Sequence, residues 1–344
     1  MVQQKDWSGA LHRPLDRRAF LRATLAATAG SAALYAVGCG SSGSQGGATA
    51  TRAAAGATAV PSGTAAAAAN QAGITPSLLT TEFVAHQDNR FAVGLLNRQG
   101  QLVKDAKVHL RFFTIGADGT TGTLRGEGDA TYMELNMPGA HAHDKSFGAA
   151  VTDDTVSFYE VNTPFDQTGT WAVEITATPN DGSAPSQVQA PFTVLATSES
   201  PGLGTVPPAS HNDTFATNPN TASLCSRVPP CPLHDKVIAD VLGKGRPLVV
   251  QFSTPAFCQT RFCGPVLEVL LSQVPRYRDR VDFVHIEVWQ DFQVHTYRPA
   301  VQEWHLPGEP YTFFMGKDGK VVGRLEAIFT GQELTRALDG LVAL

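Results

Sequence analysis

The run Leu248-Val-Val-Gln-Phe-Ser-Thr-Pro-Ala-Phe-Cys258-Gln-Thr-Arg-Phe-Cys263-Gly-Pro-Val266 decides the fold. Its opening residues, Leu248 to Phe252, are apolar except for Gln251, the pattern of a short buried strand. Ser253-Thr-Pro255 signals a turn. Two cysteines follow, and Val266-Leu-Glu-Val-Leu-Leu271 has the spacing of a helix face. Strand, cysteine-bearing turn and helix together frame a reactive thiol, because the positive end of a helix dipole stabilises a nearby thiolate. The spacing Cys258-x4-Cys263 restricts the geometry. Five positions along a regular helix rise about 7.5 Å. A disulfide tolerates a Cα separation of only about 7 Å. Pairing therefore requires Cys258 and the next few residues to lie in the turn, with the helix beginning near Cys263.

Working outward, further segments fall into a recognisable order. Val281-Asp-Phe-Val-His-Ile286 reads as a second strand, and Gly264-Pro-Val-Leu-Glu268 continues the helix. Trp304-His-Leu-Pro-Gly-Glu-Pro310-Tyr-Thr-Phe-Phe314 is a proline loop running into a strand. Gly316-Lys-Asp-Gly319 is a hairpin turn between apolar runs, and Gly331-Gln-Glu-Leu to Leu341 fits a closing helix. In this order the segments resemble the thioredoxin superfamily, from Lys236 to Leu344. The resemblance implies an α/β fold in which Cys258 is the nucleophile, Cys263 the resolving thiol and Pro310 a cis-proline shaping the substrate groove. The family motif is Cys-x-x-Cys, so the spacing here is a departure. A second register, pairing Phe262-Cys263-Gly-Pro-Val266 with the family motif, makes Cys263 the nucleophile and puts Val266 in the resolving position. The activity implied is thiol–disulfide exchange, which needs no cofactor. Its partners are protein thiol or disulfide clients and a membrane electron donor or acceptor.

The chain has 344 residues, enough for two domains, and a net charge of −5, which offers no footprint for nucleic acid. Residues 1–38 read as an export signal. Asp16-Arg17-Arg18-Ala-Phe20-Leu21-Arg22 resembles the twin-arginine pattern, and the apolar segment Ala23 to Val37 follows it. Ala36-Val-Gly-Cys39 resembles a lipobox, which makes Cys39 the lipid-attachment residue. Acyl chains contribute about 0.8 kcal/mol per buried CH₂ and hold a protein at a membrane when several are attached. The expected location is thus the extracytoplasmic face of a cell membrane. Residues 39–74 are Gly/Ser/Ala/Thr-rich and read as a flexible tether.

Residues 75–196 read as all-β, with runs at Glu82–His86, Arg90–Leu96, Lys107–Phe113, Val156–Val161, Thr170–Thr176 and Ala190–Leu195. This spacing predicts an immunoglobulin-like sandwich. Phe158-Tyr-Glu-Val followed by Gly169-Thr-Trp171-Ala-Val-Glu resembles small extracytoplasmic sandwich domains of the YtkA/FixH-like type. Residues 197–223 form a linker rich in Pro, Asn, Ser and Thr, and 224–344 make up the thioredoxin-like domain. The expected fold class is therefore an all-β sandwich followed by an α/β thioredoxin-like domain.

The chain has five cysteines. With Cys39 lipidated, four remain, allowing three pairings. Cys225 and Cys231 flank Pro229-Pro230; the expectation is a local structural bridge, with a second redox pair as the alternative. The competing function is copper binding, as a metallochaperone or oxidase-assembly factor. Met133-Glu-Leu-Asn-Met137-Pro-Gly-Ala-His141-Ala-His143 gathers two methionines and two histidines, soft donors suited to copper. A second candidate set is Cys258, Cys263 and His305. It resembles the two cysteines and one histidine used by Sco-type copper chaperones, although those use Cys-x3-Cys. A third reading is a non-catalytic binding protein whose disulfides are staples.

Overall fold

Every residue of Leu248–Phe252 is buried, and this segment forms a central strand, β9. The computed structural model describes residues 73–136, 155–258, 262–291, 293 and 296–344. The export signal, the tether through residue 72, Cys39, Met137, His141 and His143 lie outside the described residues, whereas Ile74, read as the end of the tether, opens the first strand. Strand β9 runs parallel to β10 (Asp282–Ile286) and antiparallel to β13 (Tyr311–Met315), with β14 (Val321–Glu326) at the edge. The sheet order is β10-β9-β13-β14. Its interior strands are buried on both faces and so read as nearly continuous apolar runs.

Alternation along the strands supplies two faces. Val249, Phe283 and Phe314 join one core with Val266, Leu267, Leu270, Leu334 and Leu338. Those residues belong to α3 (Cys263–Tyr277) and α5 (Gly331–Ala343). Leu248, Val250, Phe252 and Phe313 face the other way, onto Trp304 and Val301, the latter in the short helix α4 (Pro299–Glu303). The turn Gly316–Gly319 joins β13 to β14 as read from the sequence, with Gly319 at φ +81° where a side chain would be strained. Helix α5 opens on a capping box: Thr330 accepts from the Glu333 amide and Glu333 accepts from the Thr330 amide. Thr330→Ala is expected to cost about 1 kcal/mol in urea denaturation.

The preceding segment is a curled eight-stranded sheet in the order β1-β3-β6-β5-β4-β7-β8-β2. Its strands are β1 (Ile74–Leu78), β2 (Phe83–Val84), β3 (Asp88–Asn97), β4 (Lys107–Ile115), β5 (Thr121–Asn136), β6 (Thr155–Pro164), β7 (Gly169–Thr178) and β8 (Ser186–Leu195). β5 pairs with β4 through its first part and with β6 through Thr131–Asn136, so it carries the sheet around its bend. The concave side holds Phe83, Phe91, Phe112, Phe165, Trp171 and Phe192, packed edge-on or stacked. β5 was not expected from the sequence. Its first half, Thr-Gly-Thr-Leu-Arg-Gly-Glu-Gly, is glycine-rich and largely exposed, so no apolar alternation marks it.

The two segments share a core. Leu79, Ala92, Leu135 and Phe158 of the eight-stranded sheet belong to the same buried cluster as Leu267, Phe329 and Leu338. Two arginines bind across the joint. Arg324 on β14 meets Glu82 at 3.2 Å and Glu326 at 2.9 Å. Arg90 on β3 meets Glu160 and Glu333, each at 2.9 Å. The Glu326 carboxylate also accepts from the Thr81 amide at 2.9 Å. Burial pushes Glu160 up to about 7, over the pull of Arg90. The stretch after β8 is irregular but seated: Ser200, Ser210 and Thr214 are buried, and Trp304 donates to Ser210 at 3.1 Å. It includes the four-residue helix α1 (Thr221–Leu224); α2 (Ile238–Val241) follows. Among the described residues no helix is long and apolar enough to cross a membrane.

Candidate metal centre and the adjoining disulfide

The residues following α1 carry Cys225, Cys231 and His234, and they lie against β10. The amide of His285, on β10, donates to the Leu233 carbonyl at 2.9 Å, which fixes that loop against the strand. The side chain of His285 then sits among the loop's donors. Its Nδ1 lies 3.3 Å from the Cys231 sulfur, 3.7 Å from the Cys225 sulfur and 3.1 Å from His234 Nε2. All four side chains are buried, and the four donor atoms lie within 4.8 Å of one another.

The local bridge expected between Cys225 and Cys231 is not formed; both are free thiols. The His285 ring stands against both sulfurs. On its far side, His285 Nε2 lies 3.0 Å from the Ser253 carbonyl and 2.9 Å from its hydroxyl. Were an ion to replace the sulfur-facing protons, a proton kept on Nε2 and donated to that carbonyl would leave the Nδ1 lone pair free for it. Metal-binding histidines are held in this way. The Cys225 thiol is held well below the ordinary thiol range, chiefly by the hydrogen bond from Cys231 and then by those from His234 and His285. Cys231 is raised by the same hydrogen bond and by burial. The Cys231 thiol and the Cys225 sulfur thus share one hydrogen bond. Burial depresses His234. For His285, burial opposes the charge but the Cys225 sulfur outweighs it, and the net shift is upward.

Glu287 ties the loop down from beyond β10, accepting from the Ser226 amide at 2.7 Å and the Ser226 hydroxyl at 3.0 Å. Burial raises its carboxyl to about 7, over the pull of His285. The Ser226 hydroxyl also receives the Ala256 amide at 3.0 Å. That contact connects the Cys/His cluster to the turn bearing Cys258.

Cys258 and Cys263 are joined, with their Cα atoms 5.8 Å apart. Helix α3 begins at Cys263, so the intervening residues belong to the turn rather than to a helix. Gly264 follows, and a Cβ there would come within 3.3 Å of the Pro255 carbonyl, so the turn lies tight on the helix start. Cys258 is partly exposed and Cys263 is fully buried. The Glu309–Pro310 peptide is cis. Glu309, just before it, places Oε2 3.5 Å from the Cys263 sulfur.

The other expected ligands are not gathered here. His305 is exposed, lies in the left-handed region at φ +49°, and lines a cleft with Pro201, Val206 and Glu303; it does not join the cysteines. Glu309, not His305, stands beside Cys258 and Cys263. Met133 is partly buried against the shared core. The sequence reading missed His234, His285 and Glu309. Cys231-Pro-Leu-His234 had a usable signal, a cysteine and histidine at close spacing, while His285 looked like one residue of an apolar strand.

No protein-family model matches the chain, and no curated protein matches it. Among solved structures, the chain is similar to the soluble domain of PmoD from Methylocystis sp. ATCC 49242 (Rockwell), at 14% identity, over 38% of this chain and 96% of that domain. The TM-score is 0.20, a superposition too poor to bear on fold or function.

Proposed function

We infer that this chain is a metal-binding protein that holds one soft ion, Cu(I), at Cys225, Cys231, His234 and His285. The observation that carries the reading is the convergence of two sulfurs and a second imidazole on a single ring nitrogen of His285. Lone pairs brought so close in a buried site need a shared proton or a cation between them. The donor set is two thiolates and two imidazoles with no carboxylate, which disfavours hard ions. Soft thiolates with imidazoles suit Cu(I), and zinc, which takes the same two-cysteine, two-histidine set, is the competitor. Ion binding would displace the proton that the two thiols share. Export and anchoring through Cys39 belong to the same proposal and rest on the sequence pattern alone.

The test is anaerobic titration of the Cys258→Ser/Cys263→Ser protein with Cu(I) against a chromophoric competitor, and in parallel with Zn(II). One equivalent of Cu(I) bound, with a thiolate-to-copper absorption band, is expected. Zinc binding more tightly than Cu(I) would reassign the ion, and binding of neither would remove the metal role.

A second reading is favoured by a separate observation. A disulfide bridges the turn before α3, one sulfur partly exposed and the other against Glu309, which precedes the neighbouring strand β13. This supports a thioredoxin-like C-terminal half that exchanges disulfides with protein thiols. The sheet order β10-β9-β13-β14, with helices on both faces, supports the same assignment. The copper reading and the thiol reading use different cysteines, so one chain accommodates both.

A further inference from the structure

We propose that Glu309 is the proton donor and acceptor of the Cys258–Cys263 pair, protonating the Cys263 sulfur as the disulfide opens and recovering that proton as it closes. The proposal rests on the thiol-exchange reading of this pair. Two contacts set the carboxyl in place. The Trp289 indole donates to Oε1 at 3.1 Å, and the other oxygen, Oε2, faces the Cys263 sulfur at 3.5 Å. The indole is itself stacked on Tyr297, with ring centroids 4.4 Å apart. One carboxyl oxygen is thus anchored while its neighbour is presented to sulfur.

The need for a proton donor follows from the exposure of the two sulfurs. Cys258 is the one an incoming thiolate can reach; Cys263 has no exposed surface. Attack at Cys258 expels Cys263 as a thiolate at a fully buried position. Burial disfavours that charge, and the start of α3 offsets only part of the penalty. A proton waiting next to the sulfur removes the charge.

The step balances as follows. A dithiol reductant attacks the Cys258 sulfur through its thiolate; a new S–S bond forms and the Cys258–Cys263 bond breaks. The electron pair goes to the Cys263 sulfur, which takes the proton of Glu309. Glu309 is left as a carboxylate hydrogen-bonded to Trp289. The second thiolate of the reductant then attacks its own partner sulfur in the mixed disulfide and releases the Cys258 thiolate. The reductant loses two electrons and the protein gains them. The reverse sequence oxidises a client dithiol, with Glu309 taking the proton from Cys263.

The surroundings keep Glu309 protonated at the acid side of neutrality. Burial pushes its carboxyl up to about 7, over the hydrogen bonds from Thr254 and Trp289 that hold it down, and the Glu287 charge adds a smaller rise. From β12 (Thr296–Tyr297), Tyr297 also faces it and is raised by burial and by the Glu309 charge. From α3 the facing group is the Cys263 sulfur itself. Below about pH 7 the donor is loaded; above it the proton is lost and donation ceases.

The experiment measures the rate at which dithiothreitol reduces the disulfide of the full mature chain, followed by trapping of released thiols. Rates are divided by the thiolate fraction of dithiothreitol, from about pH 5.5 to 8.5, to leave the protein's own dependence. The corrected wild-type rate is expected to fall as pH rises through 7. Glu309→Gln is expected to be flat with pH and slower at the acid end by on the order of 100-fold, the lower end of what a positioned proton donor supplies. Glu309→Asp should restore part of the pH dependence, which a purely structural role would not. A Glu309→Gln profile matching wild type overturns the proposal. So does a flat corrected profile in the wild type, which decides the matter even if the variant fails to fold. A flat profile leaves thiol exchange standing, whereas a disulfide that resists dithiothreitol at every pH removes thiol exchange and the proposal together.

Discussion

Cys231→Ser is expected to lower Cu(I) affinity about 100- to 1,000-fold. Structural zinc centres built from the same donor types release roughly 10–16 kcal/mol on binding, and that scale is applied to this donor set. One of four ligands accounts for about a quarter of that, and each 1.4 kcal/mol is about tenfold. His285→Ala should lose as much, because its Nδ1 is the atom on which the other donors converge. His305→Ala and Met133→Leu should bind as wild type does, since neither side chain joins the cluster. The comparison is made in the Cys258→Ser/Cys263→Ser background, by competition with a chromophoric Cu(I) chelator, with near-ultraviolet circular dichroism to verify the fold. A Cys231→Ser protein that keeps its affinity would sink the assignment.

Arg324→Ala is the second large effect. The arginine is the shared cation of Glu82 and Glu326, which are 3% and 5% exposed. Removing it strands two carboxylates at the joint between the two sheets. Breaking a buried ion pair from one side costs about 3–5 kcal/mol, most of it the unpaired charge left behind. Urea denaturation should show that loss. Arg324→Met combined with Glu82→Gln and Glu326→Gln should recover much of it, because the stranded charges go with the cation. A single Arg324→Ala variant as stable as wild type would mean that the remaining amide donors to Glu82 and Glu326 suffice, and that the joint is held without this cation.

What the sequence made legible was the part whose signal is local. β9 and α3 are an apolar run and an amphipathic run separated by turn residues, and each is written in consecutive positions. The helix start at Cys263 followed from the length of a disulfide. The metal cluster is different, because its donors come from a loop and from a strand about fifty residues later, and only β10 packing beneath that loop brings them together. A histidine between two apolar neighbours looks like a strand residue until its pair is found. Glu309 was hidden for a similar reason: its role depends on the Trp289 indole and the Cys263 sulfur, neither of which is near it in the chain. β5 was hidden by glycines and by exposure, since a strand defined by its backbone partners needs no apolar alternation.

The shared core has a practical corollary for anyone dividing the protein. A cut between Leu195 and Ser200 would strip Leu79, Ala92 and Phe158 of their cover on one fragment, and Phe329 and Leu338 on the other. Each piece produced separately should be sticky and prone to precipitate. Mixed in equal amounts, the two should find one another and dissolve, so reconstitution from fragments, rather than isolated modules, is the format in which this molecule tolerates dissection.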